Sequence, residues 1–307
     1  MKLDGLHHVT AITGDAPRNV DFYTRVLGLR LVKKTVNQDD PSVYHLFYSD
    51  ETGSPGSDLT FFEYPGAAPG RPGAGMVHRV AYRVASAEAL HFWKGRLAFE
   101  GIDASGDDRS LRFADPEGLA LELAVSESED EPLIARHPEV PRQHALQGFA
   151  GVHAYSPDPE ASRSFLEQTM GFARMHDASY LARGPLRGSF YKYEQSSRAG
   201  IPGAGTVHHV AWSSPMDEHE AWRRRVQEGG GHPTPIIDRF YFRSIYFREP
   251  SGVLFEIATA GPGFATDETL EHLGERLSLP PKFEPLREEL EKILTPLPDP
   301  RAGRIRA

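Results

Sequence analysis

Two adjacent histidines stand inside an apolar run at Thr206-Val207-His208-His209-Val210-Ala211-Trp212, and a similar pair recurs at Leu6-His7-His8-Val9-Thr10. Neutral imidazole is the commonest protein ligand for divalent transition metals, and a carboxylate is its usual companion. A candidate carboxylate, Glu256, lies in Val253-Leu254-Phe255-Glu256-Ile257-Ala258. An unpaired charge between Phe and Ile is costly to bury, and a cation would offset that cost. A related pair of strings reads Met76-Val77-His78-Arg79-Val80-Ala81-Tyr82 and Gly118-Leu119-Ala120-Leu121-Glu122-Leu123-Ala124. There Arg79 replaces His209. Guanidinium has no lone pair to donate, so this copy predicts an Arg79–Glu122 ion pair where the other predicts a metal site.

These matched strings belong to a repeated unit, and the unit has to position them. Residues 5–13 read as a strand, followed by a helix with Asp15 as N-cap, Pro17 in its first turn and Gly28 at its end. Strands at 29–36, 43–48 and 59–64 complete a βαβββ module. A second module starts at Val77, with a helix over 86–100 and strands at 111–113 and 119–125. An acidic, proline-containing connector over 126–143 leads to a third module at 148–155 with a helix over 160–170. A fourth starts at Val207, with a helix over 217–228 and strands at 241–247 and 253–259. The remainder, 263–307, reads as a packed tail with one helix over 284–294 and a frayed arginine-rich end.

Aligning Gly28 with Gly171 puts Gly151 at the position of His8 and His153 at the position of Thr10. With Arg79 at the position of His209, elimination leaves His8, His209 and Glu256 as the metal-competent set. Two imidazoles and one carboxylate form a facial set suited to Fe(II), with positions open for substrate and dioxygen. Mn(II) and Zn(II) accept the same donors.

Composition narrows the function. A net charge of −9 and the lack of a basic run with interleaved aromatics argue against nucleic acid. No apolar stretch is long enough to span a bilayer, so no membrane partner is expected, and the absence of cysteine removes thiolate chemistry and favours a cytoplasmic address.

The strings Leu-His-His-Val-Thr-Ala-Ile-Thr-Gly, Val-His-His-Val-Ala-Trp and Gly-Val-Leu-Phe-Glu-Ile-Ala resemble the vicinal oxygen chelate (glyoxalase/bleomycin-resistance/dioxygenase) superfamily. Within it the chain is similar to ring-cleaving dioxygenases of the hydroquinone 1,2-dioxygenase type, through Phe22-Tyr23, Tyr44-His45-Leu46-Phe47-Tyr48 and the tail Gly263-Phe264-Ala265-Thr266-Asp267-Glu268. The resemblance implies an α+β fold in which four βαβββ modules form two vicinal-oxygen-chelate domains, 1–130 and 145–262, followed by the helical tail 263–307. It implies a non-haem Fe(II) extradiol-type dioxygenase taking dioxygen and a dihydroxylated aromatic, a substituted hydroquinone before a catechol. Iron would be held by a His of the first strand and a His and Glu of the last module. His7, His208, Thr10, Arg239, Tyr241 and Tyr246 match positions near the pocket, and Arg239 and Tyr246 offer donors for developing negative charge.

Strand alternation gives His7 and His208 an equal expectation of pointing away from the metal. His45, His78 and His153 read as structural. Two other functions compete. A glyoxalase-type isomerase or thiol transferase would carry a fourth ligand near His8, for which Glu63 is the candidate, and a non-catalytic aromatic binder would have no use for a buried carboxylate. A homo-oligomer is compatible with each reading.

Overall fold

The computed structural model describes residues 1–301. The first module consists of β1 (Leu6–Thr13), α1 (Ala16–Asp21), β2 (Arg30–Val36), β3 (Tyr44–Ser49) and β4 (Asp58–Glu63). The second consists of β5 (Met76–Val84), α2 (Ala87–Phe99), β6 (Ser105–Gly106), β7 (Ser110–Ala114) and β8 (Ala120–Val125). The third has β9 (Phe149–Ser156), β10 (Ala173–Arg174), β11 (Ser179–Arg183) and β12 (Gly188–Gln195), three strands of which the sequence reading left unassigned. The fourth has β13 (Val207–Ser214), α3 (His219–Glu228), β14 (Ile237–Asp238), β15 (Phe242–Arg248) and β16 (Leu254–Pro262).

Local chemistry sets most boundaries. The Asp15 carboxylate accepts from the Arg18 N–H and starts α1, and the Ser86 hydroxyl accepts from the Ala89 N–H and starts α2. The continuous helix expected from Asp15 to Gly28 is instead α1 followed by a π-turn at Phe22–Val26. The helix expected over 160–170 is likewise a 3₁₀ turn, Pro159–Ser162, and a π-turn, Phe165–Thr169. The tail helix α4 (Arg287–Ile293) follows a single 3₁₀ turn at Glu284–Leu286. Arg301 is held by Glu51 at 2.8 and 3.0 Å, so the expected fraying does not extend to it; the residues after it lie outside the described ones.

The modules pair across the chain. The first and fourth form one eight-stranded sheet, ordered β14-β15-β16-β13-β1-β4-β3-β2, and the second and third form the other, β10-β11-β12-β9-β5-β8-β7-β6. Each sheet is joined at its centre by an antiparallel pair, β1 with β13 and β5 with β9. Alternation then sorts the side chains. Trp212 and Phe255 point out to the core between the sheets, where Tyr191 meets them at ring-centroid distances of 5.9 and 5.3 Å. Their chain neighbours Ala211 and Glu256 turn to the other face.

The tail seals the β2 edge. The Ser278 N–H donates to the Lys34 carbonyl at 2.8 Å, and the buried Lys33 ammonium reaches Asp267 at 2.7 Å, Glu268 at 2.5 Å and the Phe264 carbonyl at 3.1 Å. A lysine without exposure is tolerable because its donors are occupied by two carboxylates and a carbonyl.

In the second sheet the position corresponding to the histidine site is filled. Arg79 Nε lies 2.8 Å from Glu122 and Arg79 Nη2 lies 2.6 Å from Glu194, as the sequence pairing predicts for Glu122. A Cβ on Gly151 would come within 2.2 Å of the Phe190 carbonyl and 2.4 Å of its ring, so no side chain fits there. Burial would raise the Glu122 carboxyl, but His153, Arg79 and Arg112 hold it at about 2. Replacing Arg79 by alanine removes the nearest cation from both Glu122 and Glu194, and the expected outcome is a loss of roughly 3 kcal/mol in urea unfolding with unchanged metal content. Loss of metal from that variant would contradict the separation of the two sheets.

Candidate metal centre

The centre of the first sheet is a local two-fold arrangement. Val9 pairs with Val210, so His8 stands opposite Ala211 and Thr10 opposite His209. This places His8 and His209 diagonally on one face, related by the axis through the valine pair. On the next strand Glu256 pairs with Ala211 and, on its other side, with Tyr246. Ala211 contributes only a methyl between His8 and Glu256, and the three polar side chains converge above it.

The convergence is tight. His8 Nε2 and His209 Nε2 are 3.2 Å apart, and Glu256 Oε2 lies 3.1 Å from the first and 3.0 Å from the second. All three residues are buried, and Glu256 Oε2 has no hydrogen-bond partner. Three donor atoms at right angles around an ion about 2.1 Å away would sit roughly 3.0 Å from one another, so the spacings suit three adjacent corners of an octahedron. Burial alone would raise the Glu256 carboxyl, yet the two facing imidazoles hold it well below the ordinary carboxylate range. The group is therefore an anion, and with the two imidazole nitrogens converging on it the set can chelate one divalent cation.

The orientation of each donor is set by a partner behind it. His8 Nδ1 faces His7 Nδ1 at 3.0 Å, and His7 Nε2 faces the Thr259 carbonyl at 3.1 Å. Because a carbonyl only accepts, His7 carries its proton on Nε2, His7 Nδ1 accepts from His8 Nδ1–H, and His8 Nε2 keeps its lone pair. His208 Nδ1 stands 2.8 Å from His209 Nδ1 in the matching relation, with its ring exposed. Ser244 donates to Glu256 Oε1 at 2.5 Å, leaving Oε2 free.

Alternation alone does not account for these contacts. Between Leu6 and His8, and again between Val207 and His209, one strand carries an extra residue relative to its partner. These bulges bring His7 and His208 beside the histidines that follow them, correcting the expectation that they are as ready to face away. The same irregularity occurs at His78, whose ring instead stacks on Tyr155 at 3.8 Å.

The remaining sequence candidates are distributed around the cavity. Thr10 Oγ1 is 2.8 Å from Thr60 Oγ1. Tyr246 packs edge-on to His209 at 5.7 Å, and its oxygen accepts from Arg239 Nε at 3.3 Å. Burial and the Glu256 charge raise the Tyr246 hydroxyl pKa, so it holds its proton. Tyr241 lines the cavity with its hydroxyl donated to Asp267 at 2.9 Å. Glu63 is not at the site: its carboxylate accepts from the Ala16 N–H and the Thr295 hydroxyl. The residue of β4 that corresponds to Glu256 is Thr60, which pairs with Thr10 as Glu256 pairs with Ala211.

Ser244 and Asp39 are among the participants that escaped the sequence reading. Ser244 stands two residues before Tyr246, so the period of the strand was the available signal. Asp39, which clamps Arg239 at 2.8 and 2.9 Å, comes from a loop of the first module and gave none.

Burial, and secondarily His8, lower the His7 ring from 6.5 to about 3. The unfolded chain takes up this proton below pH 6.5 and the folded chain does not, so the contribution is full above that pH and is lost as pH falls towards 3. In the metal-free protein, His7→Asn is expected to flatten the acid limb of the stability profile by ~3 kcal/mol at pH 4, read by urea unfolding. Parallel profiles for both proteins would contradict the neutral, proton-directing role of His7.

Residues 5–123 and 144–257 match the Glyoxalase/Bleomycin resistance protein/Dioxygenase superfamily. MhqO of Bacillus subtilis, named as a ring-cleaving dioxygenase, is 42% identical over 96% of this chain and 97% of its own length. The chlorohydroquinone/hydroquinone 1,2-dioxygenase of Sphingobium indicum is 33% identical over 95% of this chain and 96% of its own. A crystal structure of a dioxygenase from Bacillus subtilis superposes with a TM-score of 0.90 at 41% identity, covering 97% of this chain and 98% of that one. Glyoxalase I of Zea mays shares the fold at a TM-score of 0.57 and 16% identity, over 83% and 92% of the two chains. No helix among the described residues is long and apolar enough to cross a membrane. With its repeated domain, paired modules and full-length relatives, the chain belongs to the Glyoxalase/Bleomycin resistance protein/Dioxygenase superfamily and is an enzyme of its dioxygenase class.

Proposed function

We propose that the protein is an Fe(II)-dependent, extradiol-type ring-cleaving dioxygenase of a dihydroxylated aromatic, a hydroquinone in preference to a catechol. The observation that carries this reading is the buried, convergent His8–His209–Glu256 set with Thr60 where a fourth carboxylate would stand. Three protein donors leave the remaining positions of an octahedral ion to substrate and dioxygen, whereas a glyoxalase-type site uses a fourth protein ligand. The relatives named as ring-cleaving and hydroquinone dioxygenases support the same assignment.

Ferrous iron bound there would bring a phenolate oxygen and dioxygen together and relay charge between them. The protein's own groups do the rest. His7 and Ser244 keep lone pairs directed at one point, so no reorganisation is needed when the ion or substrate arrives. Phe47, Phe62 and Phe242 line the cavity and pack the ring away from water. The Tyr246 hydroxyl, kept protonated by burial, donates to oxygen as negative charge develops, while Arg239 bonds to Tyr246 and supplies a fixed positive charge held in place by Asp39. Both oxygen atoms enter the opened ring, and the substrate supplies the electrons, so no external reductant is required.

Glu256→Ala is expected to lose bound iron and to lower oxygen uptake with 2-methylhydroquinone by roughly 100-fold or more, measured on anaerobically reconstituted protein. Unchanged turnover in that variant would sink the triad.

A further inference from the structure

The cavity beside the triad is lined by polar groups of the β1–β13 side, by the rings of Phe47, Phe62 and Phe242, and by polar groups of the β2–β3 side. His8, His209 and Tyr246 form the end nearest the candidate metal centre. Thr35, Asn37 and His45 lie on the β2–β3 side, the end remote from β1 and β13, and have no part in the mechanism above. Thr35 on β2 and His45 on β3 are direct cross-strand partners, and Asn37 follows Thr35 by two residues, so the three share a face and line the same cavity.

Each of these side chains has hydrogen-bonding capacity to spare. The His45 ring is wedged between Phe47 and Phe62, with centroids at 4.0 and 4.4 Å, and its Nε2 lies 2.9 Å from Thr60 Oγ1. Its Nδ1 has no partner among the described residues. Thr35 is 2% exposed, and its hydroxyl approaches that of Tyr241 without making a hydrogen bond. Asn37 Oδ1 accepts from the Asp39 N–H at 3.0 Å, while its amide nitrogen makes no bond among the described residues. A buried hydroxyl left unpaired beside an imidazole and an amide with open positions is unfavourable unless water or the polar group of a ligand uses them.

We infer that Thr35, Asn37 and His45 form a subsite for the second hydroxyl of a para-diol, the one remote from the metal. This rests on the dioxygenase reading and deepens it. β4 separates β3 from β1, so His45 stands roughly 10 Å across the sheet from the strand of His8. A para-diol carries its hydroxyls at opposite ends of the ring and spans such a gap through the aromatic middle. An ortho-diol carries both on one edge and presents only carbon to the far end. The Thr10–Thr60–His45 chain, with hydroxyls at 2.8 Å and the imidazole at 2.9 Å, fixes the His45 ring in the wall of the cavity.

The test is anaerobic titration calorimetry of the Fe(II)-loaded protein with hydroquinone and with para-cresol, which has similar length and lacks the second hydroxyl. Hydroquinone is expected to bind about 10-fold tighter or better. In Thr35→Val combined with His45→Phe the two affinities converge, with para-cresol bound as in the native protein. Thr35→Val alone, which preserves shape, gives an intermediate ratio. An undiminished preference in both variants overturns the subsite and leaves the dioxygenase reading standing. If neither compound binds the native protein, the dioxygenase reading itself fails and the subsite with it.

Discussion

The antiparallel pairing of β1 with β13 through Val9 and Val210 is the constraint on which the site depends. It joins the first module to the fourth and relates His8 to His209 by a local two-fold axis. It also sets the row in which Ala211 separates His8 from Glu256. A one-residue slip would move each inward side chain to the other face, so the register is held as much by the apolar face as by the polar one. Val9, Val210 and Trp212 are completely buried on the side away from the donors. The bulges at His7 and His208 add orientation to that register.

The two sheets show what one scaffold does with two residue sets. In the first, two imidazoles surround a carboxylate that no lysine or arginine among the described residues pairs with. In the second, Arg79 brings its own permanent charge, pairs with Glu122 and Glu194, and Phe190 closes the space above Gly151. One centre calls for an external cation and the other has its cation built in. Identical topology therefore yields a candidate reaction site on one side and a structural ion-pair cluster on the other.

Much of this was legible in the residues. The repeat of His-His-Val and Phe-Glu-Ile placed His8, His209 and Glu256 in one set, because equivalent strings in repeated modules occupy equivalent strand positions. Register was harder to read. Glu63 is the candidate fourth ligand of the glyoxalase-type alternative by its nearness to the end of the first module, but strand pairing assigns that place to Thr60. Bulges leave no mark in composition, so the direction of His7 and His208 could not be read from alternation. The turns of the third module's helix region, split into 3₁₀ and π segments, depend on packing against neighbouring elements. Asp39 reaches Arg239 only through tertiary structure.

The central claim is that the His8–His209–Glu256 centre supports insertion of both atoms of dioxygen into an aromatic diol. The most direct measurement is mass spectrometry of the product formed by the Fe(II)-loaded protein from 2-methylhydroquinone under heavy-isotope dioxygen. The account predicts a ring-opened acid carrying both labelled atoms. A product with one labelled atom or none, or a quinone formed without incorporation, would contradict it.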